Sequence, residues 1–248
     1  MIATLKALSV LLCYPTRELQ EGMEELEQAL LSEALATKPQ LQPLLAFMRD
    51  FGQRDLYDVQ ERYVLLFDRT RSLSLHLFEH VHGESRERGQ AMVNLASHYH
   101  DRELFISARE MPDYLPMFLE FASTLPLAEA RGVIAEIGHI LVALEDRLRK
   151  RGSLYAEIFK TLLELAPDAV ASDGDELASS PDDDPNDLVA LDRSWEDEPV
   201  TFGPGSAGAS PGGSCPAARS VLARMELNEA AVRAPNNDEF SNSWESES

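Results

Sequence analysis

Apolar residues recur every three or four positions from Ile2 to Leu165, and this spacing decides most of what the chain can fold into. A period near 3.6 lays such residues along one face of a helix, whereas a half-buried strand needs alternation, which is nearly absent. Ile2, Leu5, Leu8 and Leu12 share a face, and Pro15 ends that helix. Thr16 can cap a second helix carrying Leu19, Met23, Leu26 and Leu30. A third opens at Pro39 or Pro43 and runs through Leu44, Phe47, Met48 and Phe51. A fourth follows Asp55, with Leu56, Val59, Tyr63 and Leu66 inward. Met92, Leu95 and Tyr99 mark a fifth, and Leu115, Phe118, Leu119 and Ala122 a sixth over 113–125. Ile134, Ile137, Leu141, Leu144 and Leu148 read as one long helix over 127–151, and Ser153 starts a last one with Leu154, Ile158, Leu162 and Leu165. Eight short amphipathic helices predict a compact all-α multi-helix bundle over 1–166. A domain of that size buries roughly 70% of its unfolded surface, enough to fold alone.

After Ala166 the periodicity collapses. The stretch 168–198 holds twelve acids and one base, Arg193, and 202–216 is dominated by Gly, Ser, Ala and Pro. Such a composition cannot offset its ordering entropy by burial, so 167–248 is expected to be a disordered acidic tail. Within it 217–231, with Val221, Leu222, Met225 and Leu227, is a short helical candidate. The net charge of −21 is divided unevenly, with 25 acids against 18 bases over 1–166 and 18 against 4 beyond. No basic stripe is present to hold phosphates, which argues against nucleic acid as a partner. Cys13 and Cys215 have no CxxC neighbour, so a disulfide framework and a zinc–thiolate site are both disfavoured and a reduced cytoplasmic setting is expected. The apolar run from Ile2 to Cys13 is broken by Lys6 and leads to no small-residue cleavage site, and no run approaches a membrane span.

The chemistry-bearing residues concentrate between Tyr57 and Gln90. His76-Leu-Phe-Glu79-His80 fits the inverted zinc-peptidase pattern H-x-x-E-H. On a helix the two histidines would face one side and bind Zn²⁺, with Glu79 as general base. Ser72 to Ser74 and Gly83 leave barely two turns for that helix, and no strands are available to build a substrate cleft. GxSxG, GxGxxG and phosphate-loop signatures are all missing. A non-enzymatic protein without catalytic or metal-binding residues is therefore expected, and a zinc hydrolase is the alternative. Asp113 after Pro112 reads as a helix start favoured by the N-terminal dipole. His139 reads as a mid-helix core or boundary residue, and Arg69 and Arg71 beside Asp68 as partners in a local salt bridge or as something more. The connection 67–83 is long for a helical bundle. With Leu73, Leu75, Leu77, Phe78 and Val81 it is too apolar for disorder, so it should be ordered against the bundle, lining or capping a groove.

Tyr63-Val-Leu-Leu-Phe-Asp-Arg69, Ser74-Leu-His-Leu-Phe-Glu-His-Val-His-Gly-Glu-Ser-Arg86, Arg88-Gly-Gln-Ala-Met92 and Glu110-Met-Pro-Asp-Tyr-Leu-Pro116, with the opening Leu8 to Pro15, together resemble the respiratory nitrate reductase assembly chaperones, often called delta subunits. The resemblance covers 1–166. Met111 stands where the family usually has Leu and Glu87 where Asp is common, and both keep shape and charge. The resemblance implies the all-α fold of the chaperones that mature redox enzymes. It implies a cytoplasmic partner, the apo catalytic (alpha) subunit of nitrate reductase, alone or in its alpha–beta complex, with the N-terminal segment of that subunit taken up as a helix. The client would be held open for insertion of the molybdenum guanine dinucleotide cofactor and an iron–sulfur cluster, and kept from its membrane anchor. The chaperone itself would keep no cofactor, would not insert in the membrane and would not be part of the finished enzyme.

An apolar groove in a helical domain accepts an amphipathic helix independently of that resemblance, and an acidic surface suits a partner carrying Lys or Arg. The expected groove walls are the 57–71 helix, the 73–82 link and the 113–121 helix. The candidate partner-binding residues are Tyr63, Phe67, Arg69, Phe78, His80, Glu84, Asp113 and Tyr114, with core packing as the competing role of the aromatics. Protonation of His76, His80 or His82 would offer a release switch.

Overall fold

A computed structural model of the chain describes residues 1–82, 87–106 and 110–167, with the His82 side chain excepted. Glu84, the acidic tail and the 217–231 helical candidate lie outside the described residues. Among the described residues the architecture is helical: α1 (Ala3–Leu11), α2 (Arg17–Glu21), α3 (Met23–Glu33), α4 (Lys38–Gln53), α5 (Leu56–Tyr63), α6 (Leu77–His82), α7 (Glu87–Asp101), α8 (Leu115–Thr124), α9 (Leu127–Glu136), α10 (Gly138–Lys150) and α11 (Ala156–Leu165).

Helix α1 is the apolar pillar. Leu5, Leu8, Leu11 and Leu12 are buried, and the helix packs chiefly on α8, with α3 and α11 on its other sides. Ile2, at its N-cap, has no side-chain acceptor to offer. The Glu33 carboxylate at the end of α3 supplies one instead, accepting the Ala3 and Thr4 N–H groups at 2.9 and 2.6 Å. An acid from a neighbouring helix thus satisfies two orphan donors and complements the α1 dipole. Thr16 caps α2 through the Leu19 N–H, and the Gln40 side chain reaches back to the Thr37 N–H at 2.8 Å to start α4.

The structure divides two helices that the spacing joins. The Leu19–Leu30 stripe breaks at Gly22 into α2 and α3. The 127–151 run breaks at Ile137, which leaves the helical region at φ −95°, ψ 8° and whose carbonyl starts α10 by accepting from Ile140 and Leu141. The apolar stripe continues across both breaks because each pair of short helices faces the same core. His139 is consequently near the start of α10 rather than mid-helix. The last helix begins at Ala156, not Ser153, and Leu154 is exposed. Gly152, at φ +65°, closes α10 with Ser153 N–H bonded to Leu148 O and Gly152 N–H to Arg149 O, both at 2.9 Å. This is the Schellman arrangement, which needs a left-handed residue.

Helix α5 does not stop cleanly. It continues as a π-helical turn over Val64–Asp68, closed by Arg69 N–H to Val64 O at 3.0 Å. Thr70 Oγ1 donates to Leu65 O at 2.9 Å, so the wide turn keeps its carbonyls paired. A 3₁₀ turn (Arg71–Leu73) and an extended segment lead on to α6. The expected order of the link is observed over 67–82.

Candidate functional site

The link is fastened from two directions. Leu75 and Leu77 flank an isolated antiparallel bridge between His76 and Tyr114. Leu77 N–H donates to Asp113 O at 2.9 Å, and Leu115 N–H to Leu75 O at 2.8 Å. The Asp113 carboxylate, fully buried, accepts the Phe78 N–H at 3.3 Å and lies 3.3 Å from His76 Nδ1 and 3.6 Å from Arg88 Nη2. Arg88 also pairs with Glu79 at 3.2 Å. From the other side, the buried Arg147 of α10 donates to Ser72 O at 2.7 Å and Arg151 to Thr70 Oγ1 at 3.3 Å. The expectation that Asp113 starts a helix is corrected, since α8 begins two residues later and the carboxylate serves the link.

The zinc-like triad has no zinc-like geometry. His76 lies in the bridge, before α6 begins, so it is not one helical turn from His80. His76 meets Asp113, Glu79 meets Arg88, and His80 Nε2 lies 2.7 Å from Ser74 O. Among the described residues no three His, Cys, Asp or Glu side chains converge as a metal site requires. The two imidazoles are pushed apart in acidity. The hydrogen bond to Asp113 raises the pKa of His76, whereas burial lowers that of His80 and also that of His139.

The candidate partner-binding residues fall into two groups. Tyr63 and Phe67 are core residues, only 4% and 6% exposed, in an aromatic cluster with Phe47 and Tyr155. Tyr63 OH donates to Leu12 O at 2.9 Å and lies 3.2 Å from Tyr114 OH, and burial drives its pKa upward. Tyr63, Phe67 and Asp113 are buried in this structure, which is the core-packing role weighed for the aromatics from the sequence. Phe78, His80 and Tyr114 are half-buried and Arg69 is exposed. The Tyr114 hydroxyl is pushed up to about 12, mainly by burial. Among the described residues Arg69 makes no ion pair with Asp68, whose own pKa rises through burial.

Arg69 opens onto an open cavity of about 780 Å³ along the outer face of α5. Tyr14 and Tyr57, 46% and 78% exposed, stand on its rim with Arg54 and Arg62, while Val64 and Leu65 of the π turn contribute apolar lining. Sequence reasoning named only Arg69 here. The signal it passed over is Tyr57, an aromatic residue on the polar face of a helix whose inward stripe is already complete.

The sequence model of the family described as nitrate reductase delta subunit matches residues 16–161. The nitrate reductase molybdenum cofactor assembly chaperone NarJ of Escherichia coli K12 is 43% identical over 196 residues, covering 78% of this chain and 82% of that protein. The probable chaperone of the same description NarW, from the same organism, is 38% identical over 199 residues, covering 80% and 83%. A probable NarJ of Bacillus subtilis is 32% identical over 160 residues, covering 64% and 86%. The helical body and these relatives define an assembly chaperone rather than a catalyst. This chain belongs to the nitrate reductase delta subunit family. Both aligned spans from E. coli are longer than the helical part, so each runs past Ala166 into the acidic segment wherever it begins.

Proposed function

We propose that this chain binds the immature catalytic subunit of nitrate reductase in the cytoplasm and keeps it competent for insertion of the molybdenum cofactor and an iron–sulfur cluster until it docks on its membrane anchor. The observation that carries the reading is the 43% identity to the E. coli chaperone over 78% of the chain. Among the described residues no helix is long and apolar enough to cross a membrane, in keeping with a partner that leaves when assembly ends.

The client's N-terminal segment, taken up as an amphipathic helix, is the contact we assign to the surface formed by α5, the link and the start of α8. Arg69, Phe78, His80 and Tyr114 would touch it, and Glu84, outside the described residues, is the remaining candidate contact. Tyr63, Phe67 and Asp113 would hold those residues in place from beneath. A modest apolar patch with charged rims gives an affinity near micromolar, about −8 kcal/mol, which permits release. Co-purification of the full chain with the apo catalytic subunit tests the reading. The expected result is a stable complex, with low molybdenum content of the enzyme in cells lacking the chain. No complex, together with normal molybdenum loading in such cells, would overturn it.

A further inference from the structure

The π turn at the end of α5 decides where Arg69 stands. A π turn takes up one residue more than an α turn, so closing it to α geometry would swing the side chains beyond it by about 100° around the helix axis. Val64, Leu65 and Arg69 line the cavity on the outer face of α5, and Arg69 is the exposed cation among the contacts assigned to the client.

Two acceptors compete for the Arg69 N–H. An α turn would send it to Leu65 O, four residues back. It donates instead to Val64 O at 3.0 Å, five residues back, and Leu65 O is taken by the Thr70 hydroxyl at 2.9 Å. Thr70 is fully buried, and Arg151, at the C-cap of α10, donates to the same Oγ1 at 3.3 Å. A guanidinium can only donate, so the hydroxyl accepts from Arg151 and points its own proton at Leu65 O. Arg147, one turn earlier on α10, holds Ser72 O at 2.7 Å, so the chain just beyond Thr70 is fastened to the same helix. The hydroxyl therefore occupies the acceptor that an α turn needs.

We propose that Thr70, locked by Arg151, is the positioning residue that keeps the π turn and so sets the direction in which Arg69 meets the client. The affinity part of this inference rests on the client reading, whereas the turn is tested without a client.

Scalar coupling across a hydrogen bond, read by NMR on the full chain, links a donor amide nitrogen to its acceptor carbonyl carbon and reports the turn directly. In the native chain Arg69 should couple to Val64. Thr70→Val, which keeps the shape and removes the hydroxyl, should move the coupling to Leu65 with unchanged far-ultraviolet circular dichroism, and Thr70→Ser should return it to Val64. Arg151→Met should weaken the Val64 coupling. The native and Arg151→Met measurements stand even where Thr70→Val does not fold. For affinity the probe is a synthetic peptide of the N-terminal segment of the catalytic subunit. Arg69→Gln should weaken its binding roughly two- to fivefold, the worth of one partly screened charge. Thr70→Val should weaken it equally and add nothing in the Arg69→Gln background, because both changes remove one contact. Native Arg69 coupled to Leu65, a Val64 coupling that survives Thr70→Val or is undiminished in Arg151→Met, or losses that add in the double variant would each overturn the proposal. A native chain that shows the Val64 coupling but binds no peptide would support the turn and overturn the client reading.

Discussion

Replacing Asp113 with alanine removes the acceptor that fastens the link to the start of α8. The carboxylate is fully buried and holds three groups, the Phe78 N–H at 3.3 Å, His76 Nδ1 at 3.3 Å and Arg88 Nη2 at 3.6 Å. Losing the partner of a buried N–H costs about 1–3 kcal/mol. The side chains of His76 and Arg88 are 33% and 23% exposed, so water takes over part of their pairing and each contributes about 0.5 kcal/mol. The total is about 2–4 kcal/mol, or about 4–16 °C in Tm for a domain of this size. Asp113→Asn keeps an acceptor and should lose about half as much. The His76 pKa is raised in the folded chain by that hydrogen bond. Its contribution is therefore fully present below the ordinary imidazole value of about 6.5 and is lost as pH rises through the raised one. Thermal unfolding followed by circular dichroism should accordingly show a larger Asp113→Ala penalty at pH 6 than at pH 8. A penalty below about 0.5 kcal/mol, within the range of neutral surface changes, would refute the view that this carboxylate fastens the link. A penalty that grows with pH would refute the assigned charge of the pair.

Other substitutions probe separate parts of the same argument. Arg147→Ala removes the buried donor to Ser72 O and should cost about 2–3 kcal/mol. It should also speed amide exchange over 71–74, and unchanged Tm and exchange would contradict its fastening role. Gly152→Ala should cost about 1 kcal/mol by calorimetry from the left-handed backbone alone, because an added Cβ meets nothing within 4 Å. The buried Tyr155 hydroxyl has no hydrogen-bond partner among the described residues, so Tyr155→Phe should leave stability unchanged or raised. Tyr63→Phe, which loses the bond to Leu12 O, should lower it by about 1 kcal/mol, and the opposite ranking would refute the hydrogen-bond assignment.

The helical faces were legible because burial repeats with the helix. Leu5, Leu8, Leu44, Phe118, Leu141, Leu148, Ile158 and Leu162 are all core, as their spacing predicts. The breaks at Gly22 and Ile137 were not, since an apolar stripe runs through them unchanged and a short-range backbone departure leaves no mark on it. The bridge at His76 left only a faint mark. Leu73, Leu75 and Leu77 alternate in sequence, but Ser72 and Ser74 are buried with them, and Leu73 and Leu77 belong to the flanking 3₁₀ turn and helix. The identity of the binding surface was least legible. Tyr63 and Phe67 look alike in sequence whether they line a groove or fill a core, and only the tertiary contact with Tyr155, the residue before α11, decides it.

The two histidines of the link respond to protons with opposite sign, and this predicts a profile that neither alone would give. His76 faces Asp113, Glu79, Asp68 and Arg88, and its raised pKa makes its stabilisation fade as pH rises. His80 faces Arg147, Glu79 and His139, with burial as the largest influence on it. Because Ser74 O can only accept, His80 must carry its proton on Nε2 and is held there neutral. Its depressed pKa makes its contribution full above the ordinary imidazole value and lost as pH falls through the depressed one. The protection of the 74–78 amides, corrected for intrinsic exchange, should therefore pass through a maximum near neutral pH. His76→Ala should abolish the alkaline decline and leave the acid one, because its partner Asp113 keeps Arg88 while His80 is untouched. A protection profile that changes in one direction only across that range, or an alkaline limb that survives His76→Ala, would show that the link is held by its leucines and not by the charged groups on either side of it.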